Sequence, residues 1–363
     1  MASAPAPGSV LRVGLLGYGL SGSRFHGPLV AAEPAFTLAA VASRRADVVA
    51  RDWPGVRTGT VESLLTDPDL HVLVVCTPND SHASLAEQAL RAGKHVVVEK
   101  PFTLDADEAL RLDALARERG LCLTVFHNRR WDGDFLTVRQ LLNQGRLGTL
   151  YSLESHFDRF RPQVKARWKE QDVPGGGTLW DLGAHVVDQA VQLFGMPESV
   201  GADLGRQRPG AQGTDWFHLV LRYGTLRVLL HSGSVVHAPW PRFVLQGDQD
   251  AYVKHGLDPQ EGQLEAGLRP GHPDFGSEPS ANHGRLLTSG DTVTTAPGDY
   301  GHFYRQLAAA ILHGAPVPVT ALSASQTVRV IQAALQSDAE GRRIAVTARR
   351  APSGRGEDEP AGH

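Results

Sequence analysis

The chain has 363 residues, of which 41% are hydrophobic, and this length exceeds what one hydrophobic core usually organises. The formal net charge of −3 is too small to attract nucleic acid or an anionic membrane. No apolar run approaches the roughly 18 residues that span a bilayer, and the N-terminus has no secretory signal pattern. We therefore expect a cytoplasmic protein of two domains, with no nucleic-acid partner and no membrane partner. Its cysteines, Cys76 and Cys122, lie in apolar runs typical of buried thiols.

The first half of the chain alternates short β-branched runs with helical patterns. Strand and helix alternation of this kind predicts a doubly wound parallel sheet, that is, a Rossmann domain over residues 10–127. One helix carries its own start and stop signals, because Asp105 and Glu108 form a capping-box pattern and Gly120 follows the last turn. The predicted strands are 10–16, 37–42, 72–76, 95–99 and 123–126, and the predicted helices are 22–33, 81–92 and 105–119.

After about residue 128 longer strands follow one another, which predicts an α/β domain with an open, mainly antiparallel sheet over residues 128–349. In the run 150–159, Tyr151, Leu153 and Phe157 alternate with polar residues, so one face packs and one stays polar. The remaining predicted elements are strands 216–222, 226–231 and 243–246, an ordered but irregular stretch 258–297, and helices 300–313 and 323–339, the last opened by Ser323. Residues 1–9 and 350–363 are expected to be disordered.

A glycine-rich turn follows the first predicted strand and opens the first helix. Gly17 suits a tight turn, Gly19 lets the backbone approach a pyrophosphate, and Gly22 lets helix and strand pack closely. Tyr18 and Leu20 lie between these glycines. In this context the G-x-G-x-x-G pattern predicts a dinucleotide site at the positive end of a helix.

The end of the second predicted strand indicates which nicotinamide cofactor fits. NAD-binding proteins usually carry a carboxylate there for the ribose 2′-hydroxyl, but this chain has Ser43, Arg44 and Arg45, and the nearest acid is Asp47. Guanidinium groups suit a 2′-phosphate, so we expect NADP in preference to NAD. A solvated surface pair of arginines, or stacking of Arg44 on adenine, are the alternatives.

Polar residues end the next strands, at the sheet edge where doubly wound proteins bind ligands. They are Thr77, Pro78, Asn79, His82, Glu99 and Lys100. Lys100 emerges from three consecutive valines and precedes a proline, so its backbone has little freedom.

A glycine-rich segment, 175–177, opens a helix that carries Asp181 and His185. These residues are four apart, so we expect them on one helical face, opposite a stripe of apolar residues. The glycines would let a ligand come close. A solvated helical pair is the plainer interpretation, and no third ligand has recognisable spacing, so we predict no metal at this site.

Together these segments resemble the family of glucose-fructose oxidoreductase, inositol dehydrogenase and the MocA protein. The shared pattern consists of the glycine-rich turn, Thr77-Pro78-Asn79 with His82, Glu99-Lys100-Pro101, and the glycine-led helix with Asp181 and His185. The resemblance implies an NAD(P)-dependent enzyme whose catalytic and substrate-binding residues include Lys100, Asp181 and His185. It also implies a homodimer or homotetramer assembled face to face. We expect an uncovered apolar surface at Tyr151, Leu153 and Phe157 to drive this self-association.

A narrower likeness runs through residues 126–135, 154–162 and 167–170, which are similar to the NADP-dependent scyllo-inositol dehydrogenase branch. This likeness implies that Asn128 and Trp168, with Arg129 nearby, lie beside the cofactor or the substrate. The alternative is that these residues take part only in ordinary sheet and core packing. The leading hypothesis is oxidation of a secondary alcohol on a cyclic polyol or sugar. The alternatives are a reductase of a keto-sugar or related carbonyl compound and a non-catalytic NADP-sensing protein.

Overall fold

A computed structural model describes residues 10–346, which form two sheets with separate hydrophobic cores. The stretches predicted to be disordered, 1–9 and 350–363, lie outside the described residues. Among residues 10–346, no helix is both long and apolar enough to cross a membrane.

The N-terminal sheet has six strands, all parallel, in the order β3-β2-β1-β4-β5-β6, which confirms the Rossmann prediction. Its central strands are rich in valine and buried on both faces, as parallel strands between helices must be. The strands are β1 (Leu11–Leu16), β2 (Phe36–Ala42), β3 (Arg57–Gly59), β4 (Val72–Val75), β5 (His95–Val98) and β6 (Leu123–Val125).

Helices cover both faces of this sheet. The first begins as a π-helical stretch, Gly22–His26, and continues as α1 (Gly27–Ala32). The others are α2 (Ala46–Asp52), α3 (Val61–Leu65), α4 (His82–Arg91) and α5 (Ala106–Arg119). The predicted signals of α5 are confirmed, since Asp105 accepts a hydrogen bond from the Glu108 amide and Gly120 has a φ of 65°. Elements α2, α3 and β3 were missed because they are too short to establish a period.

The C-terminal sheet has nine strands in the order β14-β13-β12-β11-β7-β10-β9-β8-β15. All its strand pairs are antiparallel except β7 with β10, so the predicted architecture is confirmed. The strands are β7 (Leu150–His156), β8 (Ser199–Gly205), β9 (Trp216–Tyr223), β10 (Leu226–Gly233), β11 (Phe243–Gly247), β12 (Ala251–Lys254), β13 (Gly284–Leu286), β14 (Thr292–Val293) and β15 (Ile344–Ala345).

Helices cover one face of this sheet and leave the other open. The helices of the C-terminal half are α6 (Gly133–Asn143), α7 (Ala184–Phe194), α8 (Gln260–Glu265), α9 (Gly301–His313) and α10 (Ala321–Glu340). Leu153 and Phe157 are each 1% exposed, because their face of β7 lies in the core formed with α6, α7 and α10. The expectation that they leave an apolar surface uncovered was therefore wrong, and of the three only Tyr151 is exposed.

Other C-terminal elements depart from the sequence patterns. The stretch 258–297, expected to be irregular, contains α8, β13, β14 and a 3-10 turn at Ser280–Asn282. Helix α10 is capped by Thr320, which accepts from the Ser323 amide, so Ser323 is the third residue of the helix and not its cap. Helix α9 packs its aromatic residues into the core of the Rossmann sheet, which joins the two halves of the chain.

A buried ion pair fixes helix α7 to the segment that leaves the Rossmann domain. The Arg130 guanidinium donates to both carboxylate oxygens of Asp188, at 2.8 and 2.6 Å. Two residues of α10 add hydrogen bonds to this pair: Ser323 accepts one from Arg130, and Thr327 donates one to Asp188. Since α7 continues the helical segment that carries Asp181 and His185, this pair helps to position the candidate site.

We expect Asp188→Ala to lower the free energy of unfolding by about 3–5 kcal/mol, because it leaves the Arg130 charge buried and unpaired. Urea unfolding followed by circular dichroism measures the effect. The control is Gln192→Ala, one turn along α7, where a surface substitution should cost less than about 0.5 kcal/mol. Equal stability losses in the two variants would contradict the assignment.

Candidate functional site

A cleft of about 1200 Å³ runs between the carboxyl edge of the Rossmann sheet and the C-terminal unit. It is large enough for a dinucleotide together with a small substrate. Nearly all the residues predicted from sequence line it: Gly17, Tyr18, Gly19, Leu20, Ser43, Arg44, Arg45, Thr77, Pro78, Asn79, His82, Glu99, Lys100, Asn128, Trp168, Asp181 and His185. Gly22 is the one predicted residue outside this lining.

Each glycine of the first turn has a different structural role. Gly17 has a φ of 108°, and a Cβ there would lie 2.8 Å from the Cys76 carbonyl oxygen at the end of β4. A Cβ at Gly22 would lie 2.6 Å from the Gly17 carbonyl oxygen, so Gly22 lies behind the turn and allows it to close. A Cβ at Gly19 would meet nothing within 4 Å, which leaves its backbone open towards the cleft.

Basic and hydroxyl groups line the cleft where β2 ends. Arg45 donates through its side chain to the Tyr18 carbonyl and through its backbone to Ser43 Oγ, and both contacts fix this corner. Arg44 is exposed and has no side-chain partner among residues 10–346. The cleft-lining residues between 42 and 61 include no carboxylate, since Asp47 is not among them.

The segment after β4 is held by hydrogen bonds within the protein. His82 is 1% exposed, and its ring nitrogens face the carbonyl oxygens of Pro101 and Thr77 at 2.8 and 3.0 Å. Its polar atoms therefore hold two loops together. Asn79 donates to the Gly175 carbonyl at 2.8 Å and so connects the Rossmann edge to the glycine-rich segment.

The glycines at 175–177 pack against protein atoms. A Cβ at Gly175 would lie 2.9 Å from the Asn79 Cβ, and one at Gly177 would lie 2.3 Å from Thr214 Oγ1. None of the three lines the cleft. The expectation that they let a ligand approach was therefore wrong, since they are small to let two segments of the chain meet.

Glu99 is the buried centre of a hydrogen-bond network beneath the cleft. Its carboxylate accepts from Ser21 Oγ and the Lys100 amide and contacts His26 Nε2 at 3.0 Å. Burial alone would raise the pKa of Glu99, but His26, the Lys100 charge and the Ser21 hydroxyl lower it to about 2. His26 also contacts the Tyr304 hydroxyl at 2.7 Å, so the network joins the first helix, β5 and α9.

Lys100 meets Asp181 across the cleft. Its Nζ donates to the Asp181 carboxylate at 3.0 Å and to the Asp181 backbone carbonyl at 2.6 Å. Lys169 donates to the same carboxylate oxygen at 2.7 Å, and Arg159 lies 3.9 Å from the other. Burial would raise the pKa of Asp181, but these three positive charges hold it well below its usual range. Burial, together with Lys169, lowers the pKa of Lys100.

His185 lies beside this cluster without pairing to Asp181. The helical segment that carries both residues begins as a π-helical stretch, Leu179–Gly183. The Asp181 carboxylate is engaged by lysines, and His185 is 6% exposed with a buried Nδ1 that has no hydrogen-bond partner among the described residues. Burial, and then the charge of Lys100, lower the pKa of His185 well below its usual range. The imidazole is therefore neutral at pH 7.

The structure adds residues that the sequence patterns missed. Lys169, Arg159 and Glu261 all line the cleft, and Glu261 accepts from Arg129 at 2.7 Å. Glu261 comes from α8, in the stretch without periodicity, and Lys169 from a 3-10 turn at Trp168–Glu170. The likeness over residues 167–170 was the available signal for Lys169; nothing in the sequence pointed to Glu261.

Asn128 lines the cleft next to this cluster. It is 4% exposed, yet its side-chain amide has no hydrogen-bond partner within residues 10–346. A largely buried amide that lacks a protein partner is available to bind a ligand.

Two family models match most of the chain. One, described as an oxidoreductase family with an NAD-binding Rossmann fold, matches residues 11–127. The other, described as the C-terminal alpha/beta domain of an oxidoreductase family, matches residues 139–346.

Relatives of similar length share the sequence throughout. The chain is 44% identical over 335 residues to the uncharacterized oxidoreductase YdgJ of Escherichia coli, covering 90% of this chain and 96% of the relative. It is 40% identical over 341 residues to IolW of Bacillus subtilis, an NADP⁺-dependent scyllo-inositol 2-dehydrogenase, covering 92% and 95%. The solved structure of the Yersinia pestis protein YPO2259 is 42% identical, with a TM-score of 0.89 and coverage of 95% and 100%.

We expect the Glu99 network to make stability depend on pH. The pKa of Glu99 is lowered from 4.5 to about 2, so its ionised form stabilises the fold above pH 4.5 and loses that effect as the pH falls towards 2. Glu99→Gln should therefore be less stable than the wild type at pH 7, by up to about 3 kcal/mol. The difference should shrink on acidification.

Urea unfolding at pH 7 and pH 3 measures this dependence. Glu87→Gln is the control, because its ion pair with Arg91 lies on the exposed surface of α4. A stability difference for Glu99→Gln that stays the same at both pH values would contradict the role of the carboxylate.

Proposed function

Because the chain belongs to the oxidoreductase family of glucose-fructose oxidoreductase, inositol dehydrogenase and MocA, we propose that this NAD(P)-binding enzyme oxidises a secondary alcohol of a cyclic polyol or sugar. The observation that carries the proposal is the contact of Lys100, at the end of β5, with Asp181 of the C-terminal unit. This contact, with His185 beside it, brings an acid–base cluster to the edge of a dinucleotide fold. A sensor protein needs no such cluster.

NADP is the proposed cofactor, and the residues present fit it. The open backbone at Gly19 leaves room for a pyrophosphate, and the partner-free Arg44 beside Ser43 suits a 2′-phosphate. No carboxylate lines this corner to favour the 2′-hydroxyl of NAD. Tyr18, Leu20, Thr77, Pro78 and the other cleft residues named above would complete the cofactor site.

The cofactor, when bound, supplies the hydride acceptor, and the chain supplies the proton chemistry. Lys100 Nζ donates to the reacting hydroxyl oxygen and favours its alkoxide character. His185 is the general base, and it accepts the hydroxyl proton at Nε2, because its Nδ1 is enclosed by protein. Asp181 holds the Lys100 ammonium and, together with Asn128, orients the substrate.

The pKa directions suit these roles. A His185 imidazole that is neutral at pH 7 can accept a proton. A Lys100 whose pKa is lowered by burial can more readily share its proton with the substrate oxygen, while Asp181 partly opposes that shift. Asp181 acts mainly on the lysine, because its carboxylate contacts Lys100 and not the imidazole.

Scyllo-inositol is the favoured substrate, since IolW covers this chain almost end to end at 40% identity. An assay with inositol isomers, aldoses and sugar acids, each with NADP⁺ and NAD⁺, tests substrate and cofactor together. Assembly as a homodimer or homotetramer stays a prediction of the family membership.

We expect Arg44→Asp to weaken NADP binding by about 1.5–3 kcal/mol, or about 10- to 150-fold, because it removes a charged contact and adds repulsion. NAD binding should change much less. Titration calorimetry with both cofactors measures the preference, and Arg119→Asp, which makes the same charge change on α5 outside the cleft, is the control. An unchanged preference after Arg44→Asp would overturn the NADP assignment.

We expect His185→Ala to lower kcat by about 10²–10⁴-fold, as loss of a positioned general base does. In the wild type the acidic limb of the pH profile should lie below pH 6.5, because the pKa of His185 is lowered from that value. Lys100→Met removes a charge that contributes to the lowered pKa of His185. The activity that remains in this variant should therefore show its acidic limb at a higher pH than the wild type does. Near-normal turnover of His185→Ala with unchanged pH dependence would contradict the assignment of the general base. NADP affinity is the control, because a correctly folded variant should bind NADP as the wild type does.

A further inference from the structure

Three potential metal ligands lie together on the open face of the C-terminal sheet. His156 ends β7, and Asp158 follows it by two residues, so both side chains point to the same face. His231 of the parallel strand β10 is directly paired with His156 in the sheet register. None of the three lines the cleft, so the proposed dehydrogenase chemistry does not use them.

The separations suit a shared ion better than direct hydrogen bonds. His156 Nδ1 lies 3.5 Å from Asp158 Oδ2, and His231 Nε2 lies 3.5 Å from Asp158 Oδ1. A charge-assisted hydrogen bond would measure about 2.7–2.9 Å. Because the two distances end on different oxygens of Asp158, the carboxylate lies between the two imidazoles and faces both. The ligand atoms of all three residues lie within 4.8 Å of one another.

The burial of these atoms is a second observation. Asp158 Oδ2 and His156 Nδ1 are buried without a hydrogen-bond partner among the described residues, and the Asp158 side chain is only 2% exposed. A buried carboxylate oxygen without a partner is costly, and an ion between the three side chains would satisfy both atoms.

The surroundings would orient the ligands. The Gly233 amide donates to Asp158 Oδ1 at 3.0 Å, and Glu154 faces His156 Nε2 at 3.5 Å, which leaves Nδ1 free to coordinate. The rings of Trp240 and Trp216 pack on His156 and His231, with centroids 5.9 and 5.4 Å apart.

We propose that His156, Asp158 and His231 bind one Zn²⁺ ion per chain, with the fourth coordination position open to water. Two imidazoles and one carboxylate suit Zn²⁺, whereas Mg²⁺ and Ca²⁺ require oxygen ligands. The sequence pattern did not reveal this site, because the third ligand is distant in the chain and adjacent only through strand pairing. The ion would link β7 to β10 and stabilise the folded chain.

The test uses the full chain without an affinity tag, stripped of metal. Competition with a chromophoric chelator measures the stoichiometry and affinity for Zn²⁺, Co²⁺ absorption reports tetrahedral geometry, and the Tm reports the stabilisation. Asp158→Asn removes the anionic ligand and keeps an acceptor for the Gly233 amide. His231→Gln removes one imidazole. The matched control is His218→Gln, because His218 lies beside His231 on the same face, with ring centroids 5.8 Å apart, but outside the group.

We expect one Zn²⁺ per wild-type chain and a higher Tm with the metal. Asp158→Asn and His231→Gln should each weaken Zn²⁺ binding by more than the roughly 10- to 100-fold that loss of an outer partner causes. His218→Gln should leave the affinity within about threefold, as a residue outside the coordination shell should. Failure of the wild type to bind one equivalent, or equal loss in His218→Gln, would overturn the proposal and would identify the group as a pair of histidines sharing one carboxylate. Neither result bears on the dehydrogenase assignment, which uses other residues.

Discussion

The contact between Lys100 and Asp181 is the interaction on which the candidate site depends. It joins the segment that follows β5 to a helical segment of the second unit, so it exists only when the two units are correctly packed. Burial penalises both charges, and Lys100, Lys169 and Arg159 together keep the Asp181 carboxylate ionised. The cleft thus keeps an ionised aspartate and a neutral imidazole within one cluster.

Buried polar networks on either side of the cleft maintain this geometry. Beneath it, Glu99 joins the glycine-rich turn, the first helix and helix α9 through hydrogen bonds that satisfy its charge. On the other side, the pair of Arg130 with Asp188 anchors helix α7. Each network links segments far apart in sequence and so holds elements that line the cleft next to one another.

The amino-acid sequence by itself determined the Rossmann sheet, the class of the second sheet and a set of residues nearly all of which line the cleft. These predictions succeeded because they rest on local signals, such as valine runs in β4 and β5, the glycines at Gly17 and Gly19, and the caps of α5. Polar residues at strand ends converge at the sheet edge as a consequence of parallel topology, so Lys100 could be identified before its partners were visible.

Only the tertiary structure decided which groups meet. Lys169 and Glu261 reach the cleft from segments without a hydrophobic periodicity. His156 meets His231 because their strands pair in register. Leu153 is covered by helices, which the pattern of its own strand cannot specify. Likewise, Asp181 and His185 both line the cleft, but the Asp181 carboxylate pairs with Lys100 and not with the imidazole. Periodicity assigns a side chain to a face, but its partner on that face depends on the packing of elements distant in the chain.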